Sequence, residues 1–379
     1  MSKKKICYVT TIALTIRAFF IPQLRYLAEN GYDVTVVCSP DDELAMELGE
    51  KIRYIPVNIA RGVSPLTLGR SIRELKEIFA KEHFDIVQYS TPNAAFCASI
   101  AANQAGIKIR NYHLMGLRYL GMRGVLRILF KQIEKLTCKL STNIECITPS
   151  NMELSVSDRL FPKDKAVIVW NGSTGGVDMH RFDYKKRSEW RDEIRKELGF
   201  EDNDFVFGFV GRITKDKGIN ELLRAFSELD GSCKLMMVGP IEGINTIDAE
   251  IWEDSRNNSN IVIHDTVSDI ERYYAAMDVL LLPSYREGFG MVIAEAAAMG
   301  TPSIVSDIPG PIDVIEDKKT GFTVKVKDSE SLRERMKYFI DHPDIAQKMS
   351  EACVNHIKNK FDSDVLCEKI LERKEKLLS

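Results

Sequence analysis

Two glutamates, Glu287 and Glu295, bracket the stretch of this chain best suited to chemistry. Between them stand Gly288, Phe289, Gly290, Met291 and Val292. The apolar run Val279 to Leu282, closed by Pro283, precedes them and reads as a short buried parallel strand. From Met291 the residues are strong helix formers, and Gly300 stops them. Strand, glycine-bearing turn and helix start make an anion site at the C-terminal edge of a parallel sheet. The first helical amides point at the ligand, and glycine lets it approach the backbone. Carboxylates accept hydrogen bonds from hydroxyls and repel phosphate, so one at each end suits a sugar–diphosphate–ribose ligand. Taken alone, the pair also reads as two solvated helix-end glutamates beside a simple turn.

A second loop offers the counter-charge. Gly211 to Gly218 (GRITKDKG) follows the apolar strand Phe205 to Val210 and precedes a helix. Arg212 and Lys217 therefore belong to the same sheet edge as Glu287. Two cations there can neutralise a departing diphosphate, a task that metals perform elsewhere. Without such a ligand they are a solvated basic loop. No His, Cys, Asp or Glu group has metal-ligand spacing, and Asp202-Asn203-Asp204 sits in a polar turn before a strand. We expect neither metal nor other cofactor.

The stretch EGFGMVIAE, followed by Ala296-x-x-x-Gly300-x-Pro302, resembles the donor-site signature of the family-4 retaining glycosyltransferases. The resemblance continues in GFVGRITKDKG (Gly208 to Gly218), in Asp307-Ile308-Pro309-Gly310 and in Lys319-Thr320-Gly321-Phe322. It is strongest to the CapM-like subgroup, which builds capsule and surface polysaccharides, and covers the first half only loosely. The resemblance implies the α/β GT-B fold, two Rossmann-like βαβ domains facing across a cleft. It implies a metal-independent hexosyl- or N-acetylhexosaminyltransferase using a nucleotide-sugar, UDP-linked, with a lipid-linked saccharide as acceptor. Gly288 to Val292 and Glu295 would bind the donor, Glu295 at the ribose and Glu287 at the sugar, with Arg212 and Lys217 on the diphosphate. It also implies that the last helix crosses back to the first domain. Two rivals stand beside this: a nucleotide-sugar epimerase on the same fold, and a non-catalytic sugar-binding protein.

The elements that must position these residues are legible as βα alternation through both halves. The Gly-rich segment Trp170 to Phe182 separates them. The expected domains are 1–178, joined by the helix 362–379, and 179–361; the first takes the acceptor and the second the donor. The pattern in the first predicts helices at Phe20 to Asn30 and Met122 to Leu140 and a strand ending at Tyr112. His113 would follow that strand and face the cleft. It reads equally as a structural residue or as a contact to the transferred sugar. No G-x-G-x-x-G follows the first strand, where Thr10-Thr11-Ile12-Ala13 stands instead of the glycines common in the family. Gly175 likewise replaces an Asn usual in the subgroup.

Composition frames the rest. With 379 residues, 44% hydrophobic and 28% charged, the chain has the make-up of a globular protein. Its eight cysteines are scattered and read as buried hydrophobes in a reducing compartment. Met1 to Lys5 runs directly into a strand, so we expect no signal peptide and a cytoplasmic protein. No apolar run is long enough to cross a bilayer. Residues 1–182 carry 24 Lys and Arg against 17 Asp and Glu, whereas the remainder carries 28 against 38. A basic half points to an anionic partner. Arg118, Arg123, Arg127, Lys131 and Lys135 recur at four- or five-residue spacing, with Val125, Leu126, Leu129, Phe130 and Leu136 on the other side. This reads as a basic face toward a membrane, peripherally at its inner leaflet, or as a plain solvated face with its apolar side on the core. No nucleic-acid motif is present.

Overall fold

Short apolar runs alternating with helix-forming segments build two all-parallel sheets, shown by a computed structural model describing residues 3–59, 62, 64–229, 231 and 233–379. The chain divides into two units, one of residues 1–176 with 363–379, the other of residues 177–362.

In the first unit the strands are β1 (Lys5–Val9), β2 (Asp33–Cys38), β3 (Ile52–Pro56), β4 (Ile86–Tyr89), β5 (Ile109–Leu114), β6 (Asn143–Cys146) and β7 (Ala166–Ile168). They lie in the order β3-β2-β1-β4-β5-β6-β7. Parallel strands buried on both faces should feed two cores, and β1 does so: Cys7 and Val9 join one cluster, Ile6 and Tyr8 the other. The second unit has β8 (Phe205–Val210), β9 (Cys233–Val238), β10 (Ile261–His264), β11 (Val279–Leu282), β12 (Ser303–Ser306) and β13 (Gly321–Val324), in the order β10-β9-β8-β11-β12-β13. All eight cysteines are buried thiols.

Some elements differ from the sequence pattern. The helix expected over 20–30 is present as Ile21–Glu29, but a further helix, Ala13–Phe19, precedes it, parted from it at Phe20 where Pro22 opens the second. β5 runs on to Leu114, so His113 lies inside the strand and not after it. The helix expected from Met122 starts at Gly124, after a 3-10 turn over Arg118–Gly121. The pattern also passes over the helix Arg187–Glu197, which has few apolar residues. It is held by arginines instead: Arg191 and Arg195 each place a guanidinium nitrogen 2.7 Å from Asp278, and Arg187 donates to the Met299 carbonyl.

The C-terminal helix Ser363–Leu378 belongs to the first unit, where Leu371, Leu377 and Leu378 pack against its core and a buried ion pair anchors it. Lys374, 1% exposed, lies with Nζ 3.0 Å from both Glu145 oxygens and 2.6 Å from Gln88 Oε1. Removing one partner of a buried pair strands the other charge without water. Lys374→Met should therefore destabilise the first unit by about 3–5 kcal/mol, and adding Glu145→Gln should restore much of the loss. Urea unfolding of the three proteins checks this.

Candidate active site

In an open parallel sheet a ligand crevice forms where the strand order reverses, outside the C-terminal ends of the strands. In the second unit that point lies between the paired strands β8 and β11. The loop after β8 carries Arg212 and Lys217, and the loop after β11 carries Glu287. The structure joins them: Lys217 Nζ lies 2.5 Å from Glu287 Oε1, both side chains mostly buried. Glycines let the loops meet. A Cβ on Gly218, at φ +75°, would lie 2.1 Å from the Pro283 carbonyl oxygen. One on Gly310, at φ +101°, would lie 2.8 Å from that of Gly288, so the Asp307–Gly310 turn packs on the loop that carries Glu287.

Gly290, at φ +91°, is the N-cap of the helix Met291–Ala298 and brings no capping side chain of its own. Phe289 is buried against Phe361, with ring centroids 5.3 Å apart, which fixes the turn. Met291 and Val292 open the helix, half-buried. Glu295 is set apart from Glu287. Its Oε2 accepts a hydrogen bond of 2.8 Å from the Tyr274 hydroxyl, and burial raises its pKa against the pull of that bond and of Arg181. Arg212 stands at the rim, 47% exposed and 3.1 Å from Glu242.

Several neighbours escape a reading of sequence alone. Asp216 lies 3.2 Å from Arg286 and 3.9 Å from Arg212. Burial opposes its charge, but the Thr214 hydroxyl and the cations Arg286, Arg212 and Lys217 hold its pKa below the usual carboxylate value. Ser284 and Ser306 lie at the C-terminal ends of β11 and β12, buried, each Oγ without a hydrogen-bond partner among the described residues. Unpaired buried hydroxyls at a sheet edge are what a polar ligand would satisfy. Only their places just beyond apolar runs could have flagged them.

Comparison with known proteins fits this geometry. Residues 191–356 match the family model described as "Glycosyl transferases group 1", and residues 5–148 match "Glycosyl transferase 4-like". Glycosyltransferase models thus cover both halves, and the chain is a glycosyltransferase. This glycosyltransferase is 29% identical, over 98% of its length and 96% of the other's, to the capsular polysaccharide biosynthesis glycosyltransferase CapM of Staphylococcus aureus. It is 24% identical, over 95% and 94%, to the UDP-Gal:alpha-D-GlcNAc-diphosphoundecaprenol alpha-1,3-galactosyltransferase of Escherichia coli. In fold it is similar to a glycosyltransferase of Rickettsia africae, with a TM-score of 0.83, 22% identity and full coverage of both chains. It is also similar to Anabaena HepE in complex with UDP-glucose, with a TM-score of 0.78, 17% identity and coverage of 98% and 99%. The fold is GT-B.

In the glycosyltransferase's first unit, the corresponding switch point is filled from within. Thr11 and Thr91 bond through their hydroxyls at 2.8 Å, across the loops after β1 and β4. Gly175 has its own reason: a Cβ there would lie 2.7 Å from the Phe19 carbonyl oxygen. His113 is buried, its ring 5.6 Å from Phe20, and its Nε2 has no hydrogen-bond partner among the described residues. Burial lowers its pKa to about 4, Glu145 opposing and Lys374 assisting, so it is neutral at pH 7. It borders a cavity of about 20 Å³ together with Gln88, Glu145 and Ser173, room for a water.

The basic helix keeps Arg123, Arg127 and Lys135 outward as its sequence suggests, but much of its apolar side faces outward too and not onto the core. Val125 is 81% exposed, Ile128 63% and Leu126 53%, with Leu129 and Leu136 also outward. Phe130, Glu134, Thr137 and Cys138 face the interior. Arg118 is not on an open face: it bonds Asn93 at 2.8 Å and lies over the Phe130 ring. Lys131 is paired with Asp158 at 2.7 Å, whereas Arg123, Arg127 and Lys135 are exposed.

Glu134 gives the inward face a pH signature. Its Oε1 accepts from the Tyr112 hydroxyl at 2.7 Å, and burial raises its pKa from 4.5 to about 7 against that bond. Below pH 4.5 the carboxyl is neutral folded or unfolded. Between 4.5 and 7 only the unfolded chain ionises, so stability falls as pH rises. Glu134→Gln should therefore add up to about 3 kcal/mol at pH 8 and nothing at pH 4, measured by urea unfolding at both.

Proposed function

We propose that this glycosyltransferase moves a sugar, with retention at its anomeric carbon, from a UDP-sugar to a lipid-linked saccharide. The product would enter a capsule or other surface polysaccharide. The observation that carries the reading is the Lys217–Glu287 pair at the switch point between β8 and β11. A cation at that point suits a diphosphate, and a carboxylate beside it suits sugar hydroxyls. The names of the relatives support the substrates: one is called a capsular polysaccharide enzyme, another names UDP-Gal and a diphosphoundecaprenol-linked acceptor.

The step is a same-face displacement. The bond from the anomeric carbon to the phosphate oxygen breaks, and a bond to the acceptor hydroxyl oxygen forms on the same face. Arg212, Lys217 and the amides at the start of the Met291–Ala298 helix stabilise the charge gathering on the diphosphate. The leaving phosphate oxygen takes the acceptor's proton, and UDP departs. Glu295 binds the ribose hydroxyls, Glu287 the transferred sugar, and no metal takes part.

Transfer from radiolabelled UDP-sugars into membrane lipid extract, in excess chelator, tests this reading against an epimerase, which needs no acceptor. Activity should persist in chelator. Glu295→Ala should weaken UDP binding about tenfold or more, the cost of hydrogen bonds to a charged group. Glu287→Ala should spare UDP affinity and depress turnover. Turnover restored only by Mg²⁺ or Mn²⁺, or equal effects of the two changes on UDP, would contradict it.

Attachment to an anionic membrane surface completes the proposal, with the outward Val125, Leu126, Ile128 and Leu129 entering the headgroup region beside Arg123 and Arg127. No helix among the described residues is long and apolar enough to cross a membrane. Val125→Ser with Leu129→Ser should release the protein from phosphatidylglycerol vesicles at low salt. Cosedimentation measures this, and a wild-type protein left in the supernatant would sink it.

A further inference from the structure

Beside the basic helix the first unit has a concavity of about 510 Å³, within the size range of ligand sites. Its floor is apolar, formed by Val156, Leu160, Phe161 and Pro162. Its wall is basic: Lys135 and Lys139 come from the helix Gly124–Leu140, with Arg159 and Lys165 opposite, and no carboxylate lines it.

The four cations are not equivalent. Lys165 is engaged, its Nζ donating to the Cys138 carbonyl at 2.7 Å and the Lys139 carbonyl at 3.3 Å, where it caps the helix C-terminus. Lys135, Lys139 and Arg159 are exposed, and none has an ion-pair partner among the described residues. Lys135 and Lys139 are one turn apart, a like-charge spacing that disfavours the helix. Arg159 is held in the left-handed region at φ +58°, where the helix Pro149–Ser157 ends. Its amide donates to Val156 O and that of Leu160 to Ser155 O, the double bond of a helix stop that glycine normally makes. Three unpaired cations over an apolar floor are complementary to one kind of occupant, an anion joined to a hydrocarbon chain.

We propose that this concavity binds a single anionic phospholipid. Lys135, Lys139 and Arg159 hold the headgroup phosphate, and the acyl chain lies on Val156, Leu160 and Phe161. The site deepens the membrane attachment proposed above and rests on it for its biological setting. It turns adsorption by an apolar helix face into recognition of one lipid, on a different set of residues from the outward Val125 and Leu129. It adds nothing to the donor site, which lies in the other unit.

The test uses the whole protein with methyl-labelled Val and Leu, followed by NMR. Dihexanoyl phosphatidylglycerol, kept below its micelle concentration, should shift the Val156 and Leu160 methyls saturably. Dihexanoyl phosphatidylcholine and inorganic phosphate should each bind at least about tenfold more weakly. Lys139→Gln with Arg159→Gly, the latter a change a left-handed residue tolerates, should cost at least about tenfold in phosphatidylglycerol affinity. No saturable shift, equal binding of phosphatidylcholine, equal binding of phosphate, or an unaffected double variant would each overturn the proposal. UDP titrated into the same samples keeps the readings separate. Loss of UDP binding with lipid binding intact would count against the donor site alone. Methyl shifts of the double variant that match the wild type in the first unit away from the concavity confirm that this unit is folded.

Discussion

An ammonium and a carboxylate 2.5 Å apart, Lys217 and Glu287, tie together two loops that leave neighbouring strands of one sheet. Such an exposed pair would contribute little, but these side chains are mostly buried and the backbone around them leaves little freedom. Gly218 brings its loop against the Pro283 carbonyl, and Gly310 brings a third loop against the Gly288 carbonyl. A side chain at either position would push the loops apart and draw the charges with them. The motif glycines thus do more than admit a phosphate: they let three loops close on one point. The parallel strand order supplies the crevice, the glycines bring its walls together, and the ion pair fixes which charges face the opening.

Features set by local chemistry were the legible ones. The donor stretch declares itself because an apolar run, a glycine turn and helix formers follow one another within one short segment, and each has a single good structural reading. The alternation of strands and helices is visible for the same reason. What stays hidden depends on partners far away in sequence. The helix Arg187–Glu197 has too few apolar residues to be recognised, and its hold is Asp278 and the carbonyls around it. Glu295 finds Tyr274, and Asp216 finds Arg286, only when the sheet edge assembles. His113 falls inside its strand because β5 gains pairs with β6 through Leu114, and nothing within its own stretch announces that partner.

The basic helix shows how a periodic pattern can be read with the wrong side inward. Its apolar residues are numerous enough to suggest a core face, yet the buried positions hold Phe130, Glu134, Thr137 and Cys138. Polar residues can occupy an interior stripe when each finds a partner, and here Tyr112 bonds Glu134 while Thr137 bonds back to Ile133. Lys165 then caps the helix end through two carbonyls. The helix is thus held by hydrogen bonds on its inner side as well as by packing. That arrangement releases Val125, Ile128 and Leu129 from the core and leaves them facing outward. An apolar outer face is unfavourable in water, and the membrane attachment proposed above would remove it from water. The inner polar stripe and the outer apolar one are therefore two sides of a single packing arrangement.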